Sequence, residues 1–322
     1  MRDRNGALHQ KLAQWYRSGR QKDLNLIALP YSSLEPLAGL FQALTKGERI
    51  LWVKGSSKEP SPESAPWKNL DLFLAHQEDP RASVVLLEAP EALLASDAYD
   101  LVIFDDLTGF PEYPLSLKEE VLLHALRLGR RRLSLSVDKV FSSAMSLEGL
   151  VEKKHHYISE PRILLSQVDP KEGVCNSLFD FLSFFLNDQR LVVLFAPEDT
   201  LESLRDYLLR IDPSLAKDLV APPQKKEGLS LAGAGLGRAL MLCPTIQDFT
   251  ELPQNIEFIV ADAPGAPVDY RGFVFLCVRA GMQSDINGEV LLFGKEATQD
   301  MLRAKDIARQ FNQTLWEREE LR

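Results

Sequence analysis

The stretch Tyr99-Asp100-Leu101-Val102-Ile103-Phe104-Asp105-Asp106-Leu107-Thr108-Gly109-Phe110-Pro111 decides how this chain is read. Four apolar residues run straight into two adjacent carboxylates, and Gly109 and Pro111 then turn the chain. A continuous apolar run bounded by turn residues is the pattern of a buried strand in a parallel sheet. Carboxylates at the C-terminal tip of such a strand can hold a Mg²⁺ shell and position a water. A strand end that caps the next turn accounts for the same two residues equally well.

Working outward, the N-terminal side predicts a helix over 8–20, with Leu8, Leu12, Trp15 and Tyr16 at helical spacing and Lys11, Arg17 and Arg20 around them. A strand over 24–29 ends at Pro30. A helix over 37–45 follows, with Gly47 as a stop, and then a strand over 49–53, which completes a βαβ unit. Residues 54–68 read as a loop, 70–75 and 84–87 as short apolar elements, and 90–94 as a small helix. On the far side, 115–128 is a helix with Val121, Leu122, Ala125 and Leu128 on one face. Arg130-Arg131-Arg132 then precedes a strand over 133–137.

The segment 152–157 is polar and poorly periodic, and Pro161 follows, so a domain boundary is expected there, giving domains 1–157 and 158–322. The second half repeats the plan. Helices are expected over 176–187, 201–209 and 298–320, and strands over 190–195, 239–242, 257–261, 273–278 and 290–293. Strands alternating with helices define an α/β fold of two halves, each a mostly parallel sheet covered by helices.

The 322 residues suffice for two cores, and 45% hydrophobic with 26% charged residues is the balance of a globular protein. No apolar run reaches the ~18 residues of a membrane span. The polar start leads into no signal-peptide core, so a cytoplasmic location without membrane partners is expected. Cys175, Cys243 and Cys277 form no CxxC pair and read as reduced thiols. The net charge of −9 argues against strong independent DNA binding and leaves room for a local basic groove or an acidic face for a basic partner.

A phosphate cradle needs backbone N–H groups in a Gly-rich turn and a Lys within reach of the phosphates. Between the first strand and helix the turn is Leu29-Pro30-Tyr31-Ser32-Ser33, with no Gly and no Lys. Pro30 removes a donor and Tyr31 adds bulk. Gly233-Ala234-Gly235-Leu236-Gly237 leads into a strand rather than from strand to helix, so it is read as a loop. Arg130-Arg131-Arg132 could touch phosphates, although such a run is more often a solvated loop. His155-His156 lacks a third ligand at motif spacing, and no metal site is expected.

Several pieces together resemble the ComFA-type competence helicases, superfamily 2 relatives of the primosomal helicase PriA. Residues 100–111 look like that family's Walker B segment, with Asp105 at the metal-side Asp and Asp106 in place of the Glu that activates water. Residues 288–293, with Thr298, Met301, Ala304 and Asn312, look like its C-terminal strand and helix. Phe195-Ala196-Pro197, Cys243-Pro244-Thr245-Ile246 and Leu133-Ser134-Leu135-Ser136 match further motifs. The resemblance implies two tandem RecA-like domains.

It also exposes departures. Ser32 falls about where the phosphate-loop lysine belongs, and Ser33 keeps a hydroxyl for Mg²⁺. Arg279-Ala280-Gly281-Met282 stands for Arg-x-Gly-Arg, so Met282 replaces one arginine finger. The family's four-cysteine zinc module is missing. The resemblance therefore implies a helicase-like pseudoenzyme with Asp105, Asp106, Arg279, Ser32 and Ser33 as vestiges and with no cofactor. It would serve as a scaffold or regulator with a protein partner in DNA metabolism, and DNA as a weaker one. The alternatives are a divergent ATPase using ATP and Mg²⁺, with a lysine such as Lys54 supplied from elsewhere, and a pure protein–protein module.

Overall fold

The computed structural model describes residues 2–45, 47–57, 65–67, 72–142, 144–149, 157–220, 237–246, 256–281 and 288–320. The chain forms two compact units, Met1–Lys153 and Lys154–Arg322.

The first unit contains strands β1 (Asp23–Ile27), β2 (Ile50–Lys54), β3 (Leu74–Ala75), β4 (Val84–Glu88), β5 (Tyr99–Asp105), β6 (Gly129–Ser136) and β7 (Met145–Glu148). They lie in the order β3-β4-β2-β5-β6-β1-β7, and every pairing is parallel. Parallel strands need crossovers, and helices α1 (Arg2–Ser18), α2 (Ala38–Gln42), α3 (Ala89–Ala92) and α4 (Leu115–Leu128) surround them. The run Leu101–Phe104 is buried, as a strand covered on both faces requires. Val102 and Phe104 pack with Leu51, Val53, Val121 and Ala125 in one core. On α1, Leu8, Leu12, Trp15 and Tyr16 are buried. Gly39 of α2 lets α1 approach: a Cβ there would lie 2.5 Å from the His9 carbonyl oxygen.

The second unit contains β8 (Arg162–Leu165), β9 (Leu191–Phe195), β10 (Leu219–Val220), β11 (Ala239–Cys243), β12 (Ile256–Val260) and β13 (Val290–Gly294). Their order is β10-β11-β9-β12-β13-β8, again all parallel. Helices α5 (Asn176–Asn187), α6 (Glu198–Ile211), α7 (Tyr270–Gly281) and α8 (Gln299–Glu320) cover it. Leu178, Leu182 and Phe185 of α5 and Leu204 and Leu208 of α6 close one core against the sheet.

Three sequence expectations change. The apolar run 273–278, expected as a strand, is the middle of helix α7. Every residue from Arg271 to Gly281 is buried, and a helix buried all round shows no polar face by which periodicity could reveal it. The expected helix 37–45 is a 3-10 turn, Glu35–Leu37, followed by the short α2. The arginine run is not a loop: β6 begins at Gly129, and all three arginines lie in the strand. The short edge strands β7, β8 and β10 had no sequence signal of their own. Among the described residues, no helix is long and apolar enough to cross a membrane.

Candidate functional site

In a parallel α/β sheet ligands are bound outside the carboxyl ends of the strands. In the first unit those ends bring Ala28–Leu29 after β1, Lys54–Gly55 after β2, Asp105–Asp106 after β5 and Ser136 of β6 into one neighbourhood. Register places Lys54 beside Asp105 and Asp105 beside Leu135.

The turn after β1 is closed by its own hydrogen bonds. The Ser32 N–H donates to the Leu29 carbonyl at 3.2 Å, and the Tyr31 N–H donates to the Leu107 carbonyl at 3.1 Å. Tyr31 sits at φ +61°, the left-handed region that the third residue of such a turn requires and that usually calls for Gly. Pro30 has no N–H. Three successive backbone donors, at 30, 31 and 32, are thus absent or occupied. The Ser32 hydroxyl is buried with no hydrogen-bond partner among the described residues. The Ser33 hydroxyl accepts the Glu35 N–H at 3.2 Å and starts the 3-10 turn.

Both carboxylates are held internally. Asp105 is 3% exposed. Its Oδ1 accepts the Leu107 and Thr108 N–H groups at 3.0 and 3.1 Å. Its Oδ2 accepts the Trp52 indole N–H at 3.2 Å and the Thr108 hydroxyl. Burial pushes the Asp105 carboxyl above the usual carboxylate range, against the pull of these donors. Asp106 accepts from Lys118 Nζ at 2.6 Å, with both side chains nearly inaccessible. Lys118 also reaches the Ser136 hydroxyl at 3.3 Å and lies over the Phe104 ring. Gly55 permits this crowding: its N–H donates to the Asp105 carbonyl at 2.7 Å, and a Cβ would meet Asp106 Oδ1 at 2.8 Å. Lys54 is buried beside Asp105, with Glu88 at 3.9 Å.

Trp52, Thr108 and Lys118 went unnoticed in the sequence. Lys118 sits in an ordinary run of charged helix residues, Lys118-Glu119-Glu120, and only the packing of α4 on β5 singles it out.

The arginines at 130–132 lie at the opposite, N-terminal edge of the sheet. Arg130 pairs with Asp100 at 3.2 Å on the surface. The Arg131 guanidinium lies 4.7 Å from the Tyr16 ring centre and donates to the Trp15 carbonyl at 3.0 Å. Arg132 pairs with Asp23. In the second unit Arg279 occupies the last turn of α7 with 2% of its surface exposed. Met282, residues 233–236 of the glycine loop, and His155-His156 lie outside the described residues. Among the described residues no group of three or more His, Cys, Asp or Glu is placed to hold a metal ion.

Two parallel sheets sheathed in helices make this an α/β fold that matches RecA-like helicase domains. The solved structures it resembles include Xpd4 of S. tokodaii, at 12% identity and TM-score 0.53, over 89% of this chain and 95% of that one. A fragment of a putative HsdR subunit of a type I restriction enzyme from Vibrio vulnificus YJ016 matches at 12% identity and TM-score 0.54, over 92% of this chain and 64% of that one. RecG bound to a three-way DNA junction matches at 11% identity and TM-score 0.50, over 94% of this chain and 44% of that one. The chain thus spans nearly all of one neighbour and less than half of another. At these identities the likeness defines the fold. No family's sequence profile matches the chain, and no characterised protein matches it in sequence.

Proposed function

We propose that this chain is a helicase-like protein that does not turn over ATP and acts as a scaffold or regulator in DNA handling, such as uptake, recombination or replication restart. The observation that carries this reading is the closed turn at 29–32 together with the Asp106–Lys118 pair. An ATP–Mg²⁺ group needs free N–H donors for its phosphates, a reachable lysine, and carboxylate oxygens open to the metal shell. Here the donors at 30–32 are unavailable, Asp106 is ion-paired with Lys118, and Asp105 has both oxygens bonded to protein donors. These residues do not fit that group. Lys54, the substitute lysine of a divergent ATPase, is buried with Glu88 in ion-pair range.

The DNA connection rests on the helicase fold and on the competence-type resemblance of residues 100–111 and 288–293. The RecG structure with its DNA junction supports nucleic acid as the partner to test first. Calorimetry with Mg²⁺ and millimolar ATP tests the central claim, and no binding heat is expected. ATP hydrolysis that vanishes in Asp105→Ala would overturn it.

A further inference from the structure

The N-terminal helix opens a basic stretch in an acidic chain. Residues 6–22 carry Lys11, Arg17, Arg20 and Lys22 and no Asp or Glu, in a chain of net charge −9. All four cations are exposed. Among the described residues none has a carboxylate in ion-pair range, unlike Arg130 and Arg132. Two grooves run along the helix. One, of about 530 Å³, lies against α2 and is lined by His9, Gln10, Gln14, Arg17 and Gln42 among others. The second, of about 570 Å³, lies toward the start of β7 and includes Lys11, Gln14, Arg20, Gln21 and Met145. The grooves share Gln14 and Ser18, and no carboxylate lines either one.

Arg17 and Arg20 complement the C-terminal end of the α1 dipole, which Gly19 closes at φ +68°. That role does not extend to Lys11 in mid-helix, nor to the exclusion of acidic residues from both grooves. Cations flanked by side-chain amides and a hydroxyl are the donor set that proteins bring to a phosphodiester backbone. Insertion into a membrane surface requires a free apolar helix face, and here Leu8, Leu12, Trp15 and Tyr16 are buried in the core.

We infer that α1 and its two grooves form a docking surface for the phosphate backbone of a nucleic acid. This rests on the DNA-handling reading and gives it a location. The second groove lies toward the N-terminal edge of the sheet, where Met145 opens β7, and the first lies against α2.

Fluorescence anisotropy of the full chain with labelled single-stranded and duplex DNA, at about 50 and 200 mM salt, tests it. Wild type is expected to bind in a salt-sensitive way. The triple variant Lys11→Gln/Arg17→Gln/Arg20→Gln is expected to bind at least about tenfold more weakly, with the log–log salt slope reduced by about 2–3. An unchanged melting temperature excludes misfolding, and Arg130→Gln, outside both grooves, is expected to bind as wild type. Equal binding by wild type and the triple variant would overturn this surface and leave the DNA-handling reading standing. No DNA binding by wild type would overturn both. Equal affinity for poly-glutamate would reassign the surface to an acidic protein.

Discussion

Lys118 Nζ lies 2.6 Å from Asp106 Oδ2, and both side chains are almost wholly inaccessible. A buried pair is costly to break from one side, because the remaining charge is left unpaired. Lys118→Met is expected to destabilise the first unit by about 3–5 kcal/mol. Adding Asp106→Asn should recover a large part of that loss. Urea denaturation of the two variants measures it; equal loss in both would show that Lys118 acts through packing rather than through the pair.

Gly55→Ala would put a methyl group 2.8 Å from Asp106 Oδ1 and 2.9 Å from the Asp105 carbonyl oxygen. The second contact is backbone and cannot rotate away. A loss of about 1–3 kcal/mol is expected, as for other overpacked sites. Thermal unfolding should show it as a lowered midpoint. The control is Gly47→Ala, where the Cβ meets nothing, although φ +93° still carries backbone strain.

Glu257 on β12 has no exposed surface and pairs with Arg190 at 2.5 Å. Burial lifts its carboxyl from the ordinary 4.5 to about 7, outweighing the guanidinium and the Glu289 N–H. Between those values the folded state keeps a proton that the unfolded chain has released. Stability of the second unit is therefore expected to fall as pH rises through that window, by about 3 kcal/mol. Urea midpoints for wild type and Glu257→Gln at about pH 5 and 8 provide the check. The wild type should lose stability with pH while the variant stays flatter.

Cys243 and Cys277 are buried, at 1% and 0% exposure, and Cys175 is partly exposed. Burial raises the Cys243 thiol to about 12 and lifts Cys277 as well. The thiolate is the reactive form. A thiol reagent at neutral pH should label Cys175 quickly in the native protein and the other two only after unfolding. Mass spectrometry of labelled peptides identifies them, and rapid native labelling of Cys277 would contradict the packing of α7.

Periodicity and turn residues carried most of the fold. Leu115–Leu128 and Asn176–Asn187 were legible to the residue, because an amphipathic helix writes its own pattern locally. The apolar run in α7 was not legible, since full burial erases the pattern that separates a helix from a strand. At the candidate site, the missing Gly and Lys near Pro30 and the Asp105-Asp106 pair could be read directly.

The sequence alone determined that two α/β halves would form and that the first strand–helix turn lacked phosphate-binding residues. Only the tertiary structure decided what the remaining groups do. Tyr31 closes its turn on Leu107, Trp52 bonds to Asp105, Lys118 holds Asp106, and Arg131 pins the end of α1. Each is a contact between residues on different segments of the chain. Local propensity carries no record of such partners, because the partner is chosen by packing after the strands and helices exist.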